Sequence, residues 1–75
     1  MFIAILDLGT SAADRPRALA QLEAERSLVR SMPGNLAFRV YASREDDRSV
    51  TVVHEWSDQS SFVDYLASDA FDRSN

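Results

Sequence analysis

The chain contains no cysteine and no lysine, and only one histidine, one tryptophan, two glycines and two prolines. Each shortage excludes something. Without cysteine there is neither a disulfide framework nor a thiolate metal site, a composition that suits a reducing, cytoplasmic interior. The eight basic residues, all arginine, are scattered among twelve acids for a net charge of −4, so no basic surface for nucleic acid is expected. A single histidine falls short of the three or four ligands a metal site needs, and none is expected. With only Gly9 and Gly34 there is no glycine-rich loop of the kind that cradles a nucleotide, flavin or phosphate, so no cofactor is expected. Long apolar runs are missing too. Met1 to Leu8 is apolar but short, lacks a basic flank and contains Asp7. It reads as a strand, neither a signal peptide nor a membrane span, and no membrane partner is expected.

What remains is an ordinary globular composition, with 45% hydrophobic and 27% charged residues. The 75 residues are read as one domain, 1–75, with no repeat and no low-complexity linker. A chain of this size hides only about 60% of its unfolded surface, so its core is marginal unless a partner extends it.

The organising stretch runs from Val50 to Phe71. Val50, Val52, His54 and Trp56 alternate with Thr51, Val53 and Glu55, the two-residue period of a strand. Ser57 or Asp58 supplies a helix N-cap. Phe62, Val63, Leu66, Ala67, Ala70 and Phe71 then fall on one helical face. Upstream, Phe2 to Leu8 forms a first strand ending at Gly9. Asp14-Arg-Pro-Arg opens a helix, and Pro33-Gly34 closes it. Its inward stripe is Ala18, Leu19, Leu22, Val29 and Met32, with Leu28 beside it; Glu23, Glu25 and Arg30 are placed toward solvent. Arg26 lies on or beside the stripe, its stem along the core. Asn35 to Ser43 forms another strand, with Leu36, Phe38, Val40 and Ala42 on one face and Ala37, Arg39, Tyr41 and Ser43 on the other. The charged turn from Arg44 to Ser49 leads back into the organising stretch.

The order β-α-β-β-α predicts an α+β, ferredoxin-like split βαβ sheet with both helices on one face. That pattern normally closes with a fourth strand. Here the sequence ends at Arg73-Ser-Asn75, so the strand is expected to be missing, either absent or cut short at the C-terminus. A three-stranded sheet leaves one edge and much of one face open. A homodimer packed sheet against sheet would cover that face, and the apolar residues on both faces of the third strand agree with it.

Several side chains are candidates for chemistry, each with a plainer reading beside it. His54 has an ordinary pKa near 6.5 and shares a strand face with Trp56, which makes it a candidate base; it can equally be a half-exposed strand histidine. Trp56 can stack a flat aromatic ligand or simply pack. Tyr65, three residues after Phe62, can donate to a substrate oxygen or sit at the core boundary with a wet hydroxyl. Arg39 can hold an acidic or phenolate substrate, or pair with Glu55 across the hairpin. Asp7 is a possible second base or a solvated strand-end carboxylate. Glu45-Asp46-Asp47 is a solvated turn.

Pro33-Gly-Asn-Leu-Ala-Phe-Arg-Val-Tyr41, His54-Glu-Trp-Ser-Asp58 and Phe62…Tyr65-Leu-Ala-Ser-Asp-Ala-Phe71 together resemble the antibiotic biosynthesis monooxygenase (ABM) domain family. The resemblance covers about Phe2 to Phe71. It implies a dimeric α+β barrel with a pocket between sheet and helices in each subunit. A small aromatic molecule is the expected partner, with Trp56, Phe62 and Arg39 as the candidate substrate-binding residues and His54 and Tyr65 as the candidate catalytic ones. Trp56 matches the family's pocket tryptophan. Tyr65 stands where many members place a helix histidine. Asn75 stands where heme-degrading members place the iron-ligating histidine, and Ile5, Leu6 and Asp7 occupy the neighbourhood of those members' first-strand asparagine.

Three functions are therefore expected in turn. The first is a cofactor-independent monooxygenase that oxidises an electron-rich aromatic, of anthrone or quinol type, with O2. The alternative is a non-catalytic homodimeric module binding a hydrophobic small molecule. The third is a heme-degrading monooxygenase, against which Asn75 speaks, because heme iron needs an axial donor such as imidazole.

Overall fold

The computed structural model describes residues 1–68. The elements are β1 (Phe2–Gly9), α1 (Arg15–Arg30), β2 (Asn35–Ala42), β3 (Ser49–Trp56) and α2 (Gln59–Leu66). The sequence expectation that the second helix carries its apolar stripe on to Ala70 and Phe71 falls outside the described residues.

The strands lie in the order β1-β3-β2, and both neighbouring pairs are antiparallel. β1 and β2 therefore run the same way with β3 between them, which is the split βαβ arrangement. The 16-residue α1 is about 24 Å long. An eight-residue strand spans about 26 Å, so one helix crosses the sheet from end to end without overhang.

Register decides which side chains meet. Trp56, His54, Val52 and Val50 of β3 stand opposite Phe2, Ala4, Leu6 and Leu8 of β1. On the other side, His54 and Val52 stand opposite Phe38 and Val40 of β2. Both helices cover this face. Val29 of α1 and Tyr65 of α2 join Phe38, Val52 and Trp56 in one buried cluster, extended by Phe2, Leu22, Met32, Val40 and Phe62.

The reverse face carries the odd positions of β1 and β3. Ile3, Ile5 and Tyr41 are each at least half exposed there, beside the half-buried Val53. Arg39 pairs with Glu55 on this side, and Thr51 donates to Asp7 at 2.6 Å.

Two details differ from simple alternation. Asn35 pairs with Trp56 and Ala37 with Glu55, so Leu36 is an extra residue in a β-bulge. Leu36 is consequently half exposed and not part of the Phe38 face. The Asn35 amide holds the bulge by donating to the carbonyls of Ala37 and Glu55 at 3.2 and 3.3 Å. Glu25, placed toward solvent by the sequence, is half-buried and turned inward.

Two junctions fix the helices to the sheet. One Nη of Arg15 donates to the carbonyls of Ser43, Asp46 and Ser49 at 2.9, 3.0 and 3.3 Å, tying the start of α1 to the β2–β3 turn. Gly34 adopts φ +83°, and its carbonyl accepts from the Ser57 N–H at 2.7 Å. That bond joins the end of α1 to the start of α2. Asp58 caps α2, its Oδ1 accepting from the Ser61 N–H at 2.8 Å.

Candidate active site

Between the sheet and the two helices lies a cavity of about 440 Å³, within the ~300–1,000 Å³ usual for small-molecule sites. Its floor is the middle of the sheet. His54 stands there between Ala4 and Phe38, and the methyl of Ala4 leaves the space a larger residue would fill. Leu22 and Glu25 reach in from α1, and Phe62, Tyr65 and Leu66 from α2. Among the described residues the lining is apolar apart from three side chains: Glu25, His54 and Tyr65.

The aromatic rings are packed around the imidazole. The ring centroids of Phe38, Phe62 and Tyr65 lie 5.5, 5.4 and 5.9 Å from that of His54, with Phe62 and Tyr65 edge-on to it. Trp56 is completely buried and stacks on Tyr65 at 5.4 Å.

Two hydrogen bonds set the chemistry of this group. The indole N–H of Trp56 donates to Nδ1 of His54 at 3.0 Å. An indole N–H has no acceptor capacity, so Nδ1 is unprotonated and the proton of the neutral ring sits on Nε2. Nε2 has no partner among the described residues, and none of their buried side-chain polar atoms is unsatisfied. Nε2–H is therefore the edge of the ring that opens to the cavity. Burial lowers the His54 pKa, and the negative charge of Glu25 opposes that shift without reversing it. The second bond runs from the Tyr65 hydroxyl to Oε1 of Glu25, at 2.5 Å. A hydroxyl that donates to a carboxylate makes a charge-assisted bond.

Of the residues singled out in the sequence, His54, Tyr65 and Phe62 line the cavity together. Trp56 lies behind that wall, against His54, Phe62 and Tyr65, and does not itself line the cavity. Arg39 is on the reverse face of the sheet, bound to Glu55. Glu25 escaped the sequence reading although its spacing carried the signal: it falls three residues after Leu22 and four before Val29, on the inward stripe itself. Among the described residues no helix is long and apolar enough to cross a membrane.

A three-stranded antiparallel sheet covered on one face by two helices, with a cavity between the layers, defines a small ferredoxin-like α+β domain. The sequence matches the antibiotic biosynthesis monooxygenase family over residues 1–74, and the chain belongs to that family. No curated protein matches it. Among solved structures, a Deinococcus radiodurans protein superposes with a TM-score of 0.92 at 18% identity, over 99% of this chain and 73% of that one. The protein SO0527 of Shewanella oneidensis gives 0.87 at 21% identity, over 95% of this chain and 69% of that one. A structure described as an antibiotic biosynthesis monooxygenase gives 0.87 at 19% identity, over 99% and 78%. At these identities the likeness establishes the fold. Family membership supports monooxygenase activity as the general class.

Proposed function

We propose that the protein is a cofactor-independent monooxygenase that oxidises an electron-rich aromatic, of anthrone or quinol type, with O2. The observation that supports this most is the cavity, apolar and aromatic-walled, with a compact set of proton-handling groups at one side. The electron count allows it. Converting an activated ring CH2 to C=O is a four-electron oxidation. One oxygen atom of O2 enters the product and the other leaves as water, so O2 takes up those four electrons and no external reductant is needed. What the protein must supply is deprotonation, because the substrate anion is the species able to pass an electron to O2. General-base assistance of this kind contributes about 10²–10⁴ in rate.

In this reading Phe62 and Phe38 hold the ring, and Tyr65 and His54 handle its oxygen. Trp56 acts from behind by fixing His54. The open reverse face, with Ile3, Ile5, Tyr41 and Val53, is covered by a second copy of the chain. Arg39 and Glu55 then belong to that homodimer interface rather than to the ligand.

Heme degradation fits the residues poorly. An axial histidine offers the Nε2 lone pair to iron and donates its Nδ1–H to a second group. His54, the chain's one imidazole, has the reverse arrangement, with Nδ1 accepting and Nε2 protonated. Asn75, at the position where heme-degrading members of the family place the iron ligand, lies outside the described residues.

The test is oxygen uptake by the purified, chelator-treated protein with anthrones and hydroquinones and no added cofactor. Uptake well above background that falls in Tyr65→Phe supports the reading. Absence of uptake from folded protein across the panel removes it. If the same compounds still bind under those conditions, the binding-module reading takes its place.

A further inference from the structure

The cavity contains two polar devices that point in opposite chemical directions. On β3, the Trp56–His54 pair presents a fixed donor, Nε2–H. On the helices, the Tyr65 hydroxyl is bonded to the Glu25 carboxylate, a pair that can accept a proton. The remaining lining from β1 and β2, including Ala4, Leu6 and Phe38, carries no titratable group. Glu25 of α1, His54 of β3 and Tyr65 of α2 are therefore the only titratable side chains among the described residues facing this space.

From this geometry we propose that Glu25 is the proton acceptor of the site, acting through Tyr65, and that His54 serves as a fixed hydrogen-bond donor to the oxyanion that results. The ligand class follows: a flat aromatic enol or phenol whose acidic oxygen sits between the Tyr65 hydroxyl and His54 Nε2–H. In the step, the substrate O–H bond breaks and its proton goes to Oη of Tyr65. The Tyr65 O–H bond breaks at the same time, and that proton passes to Oε1 of Glu25. The products are a neutral Glu25, an unchanged Tyr65 and a substrate oxyanion held by Nε2–H. No electrons are exchanged in this step. His54 is poorly placed to be the acceptor because its one lone pair, on Nδ1, is engaged by the indole.

The assignment rests on the cavity's being the ligand site, and its test separates the two claims. A hydroxyanthraquinone dye that changes colour on ionisation is bound to the full chain at a pH where the free dye is neutral. The bound dye is expected to show the anion spectrum in the wild type. Glu25→Gln should bind it with affinity within a fewfold but return the neutral spectrum, and Glu25→Asp should restore part of the anion. The acid limb of the pH–rate profile for oxygen uptake should shift or vanish in Glu25→Gln. A neutral bound dye in the wild type, or an unchanged anion spectrum in Glu25→Gln, overturns the assignment. So does failure of the dye to bind, which discards the ligand site along with it. Ionised dye without oxygen uptake leaves Glu25 in its role and removes only the oxygenase reading. Turnover with the same pH profile in Glu25→Gln keeps the oxygenase and removes Glu25.

Discussion

At the scale of the residue, the indole of Trp56 decides what His54 can do. Because the indole can only donate, it selects one imidazole tautomer and leaves one edge facing the cavity. Nitrogen-15 NMR of the histidine ring should therefore show a single Nε2–H tautomer. Trp56→Phe keeps most of the packing but removes the donor, and the expected result is a mixture of tautomers. Truncation to alanine would empty a fully buried site, at a cost of about 3–5 kcal/mol of stability. Burial also couples His54 to pH. Its folded pKa lies below the value of 6.5 that the unfolded chain approaches. Between the two, the unfolded state binds more protons, so stability falls as pH drops through that window and is level above it. Urea midpoints should decline as the pH falls below the ordinary imidazole pKa of about 6.5, and His54→Gln should flatten that decline. His54, Trp56 and Tyr65 were legible in the sequence as rare or aromatic residues on the right faces. Their bonding was not. No periodicity says that the indole turns to Nδ1, or that a glutamate on the apolar stripe meets a tyrosine 40 residues away.

At the scale of the element, the site depends on how α2 is launched from β3. Gly34 is the pivot. A Cβ placed there would lie 2.3 Å from Oγ of Ser61 and 2.9 Å from Oγ of Ser57, on a backbone with positive φ. Gly34→Ala should therefore cost more than about 1 kcal/mol and displace the first turn of α2, which carries Phe62. Gly9 is the control: nothing lies within 4 Å of a Cβ there, and its φ is not positive. Gly9→Ala should stay within about 0.5 kcal/mol of the wild type. Urea unfolding of the two variants side by side measures the difference. All five elements announced themselves through period and punctuation: alternation in the strands, the apolar stripe in α1, Pro33-Gly34 at its end. The bulge at Leu36 did not, because two-residue alternation continues through it on paper. Only the side chain of Asn35, bonding two carbonyls of the hairpin, removes Leu36 from the register.

At the scale of the whole molecule, the imbalance between the two sheet faces is the dominant feature. One face is packed by the helices around the cavity, which leave Leu6 of β1 half exposed at its edge. The other exposes Ile5 at 67% and Ile3 and Tyr41 at 50% each. A small domain with this much apolar surface in water gains from a second copy, and the proposed homodimer should show itself as thermal stability that rises with protein concentration. Ile5→Arg should yield a less stable monomer in sedimentation velocity; a monomeric wild type would contradict the dimer. The sequence predicted the layer arrangement because split βαβ connectivity restricts the alternatives to few. A pocket between sheet and helices was implied by the family resemblance, but its shape was not legible, since it arises where Ala4, opposite His54, meets two helices tied down through Arg15 and Gly34.

Isotope labelling decides whether this cavity carries out the proposed monooxygenation by itself. Chelator-treated protein would be given an anthrone under 18O2, without flavin, nicotinamide or heme. One 18O is expected in the new carbonyl of the quinone, at a rate that Tyr65→Phe and Glu25→Gln both reduce by about 10²-fold or more. A product without label, or turnover only after a cofactor is added, would contradict it.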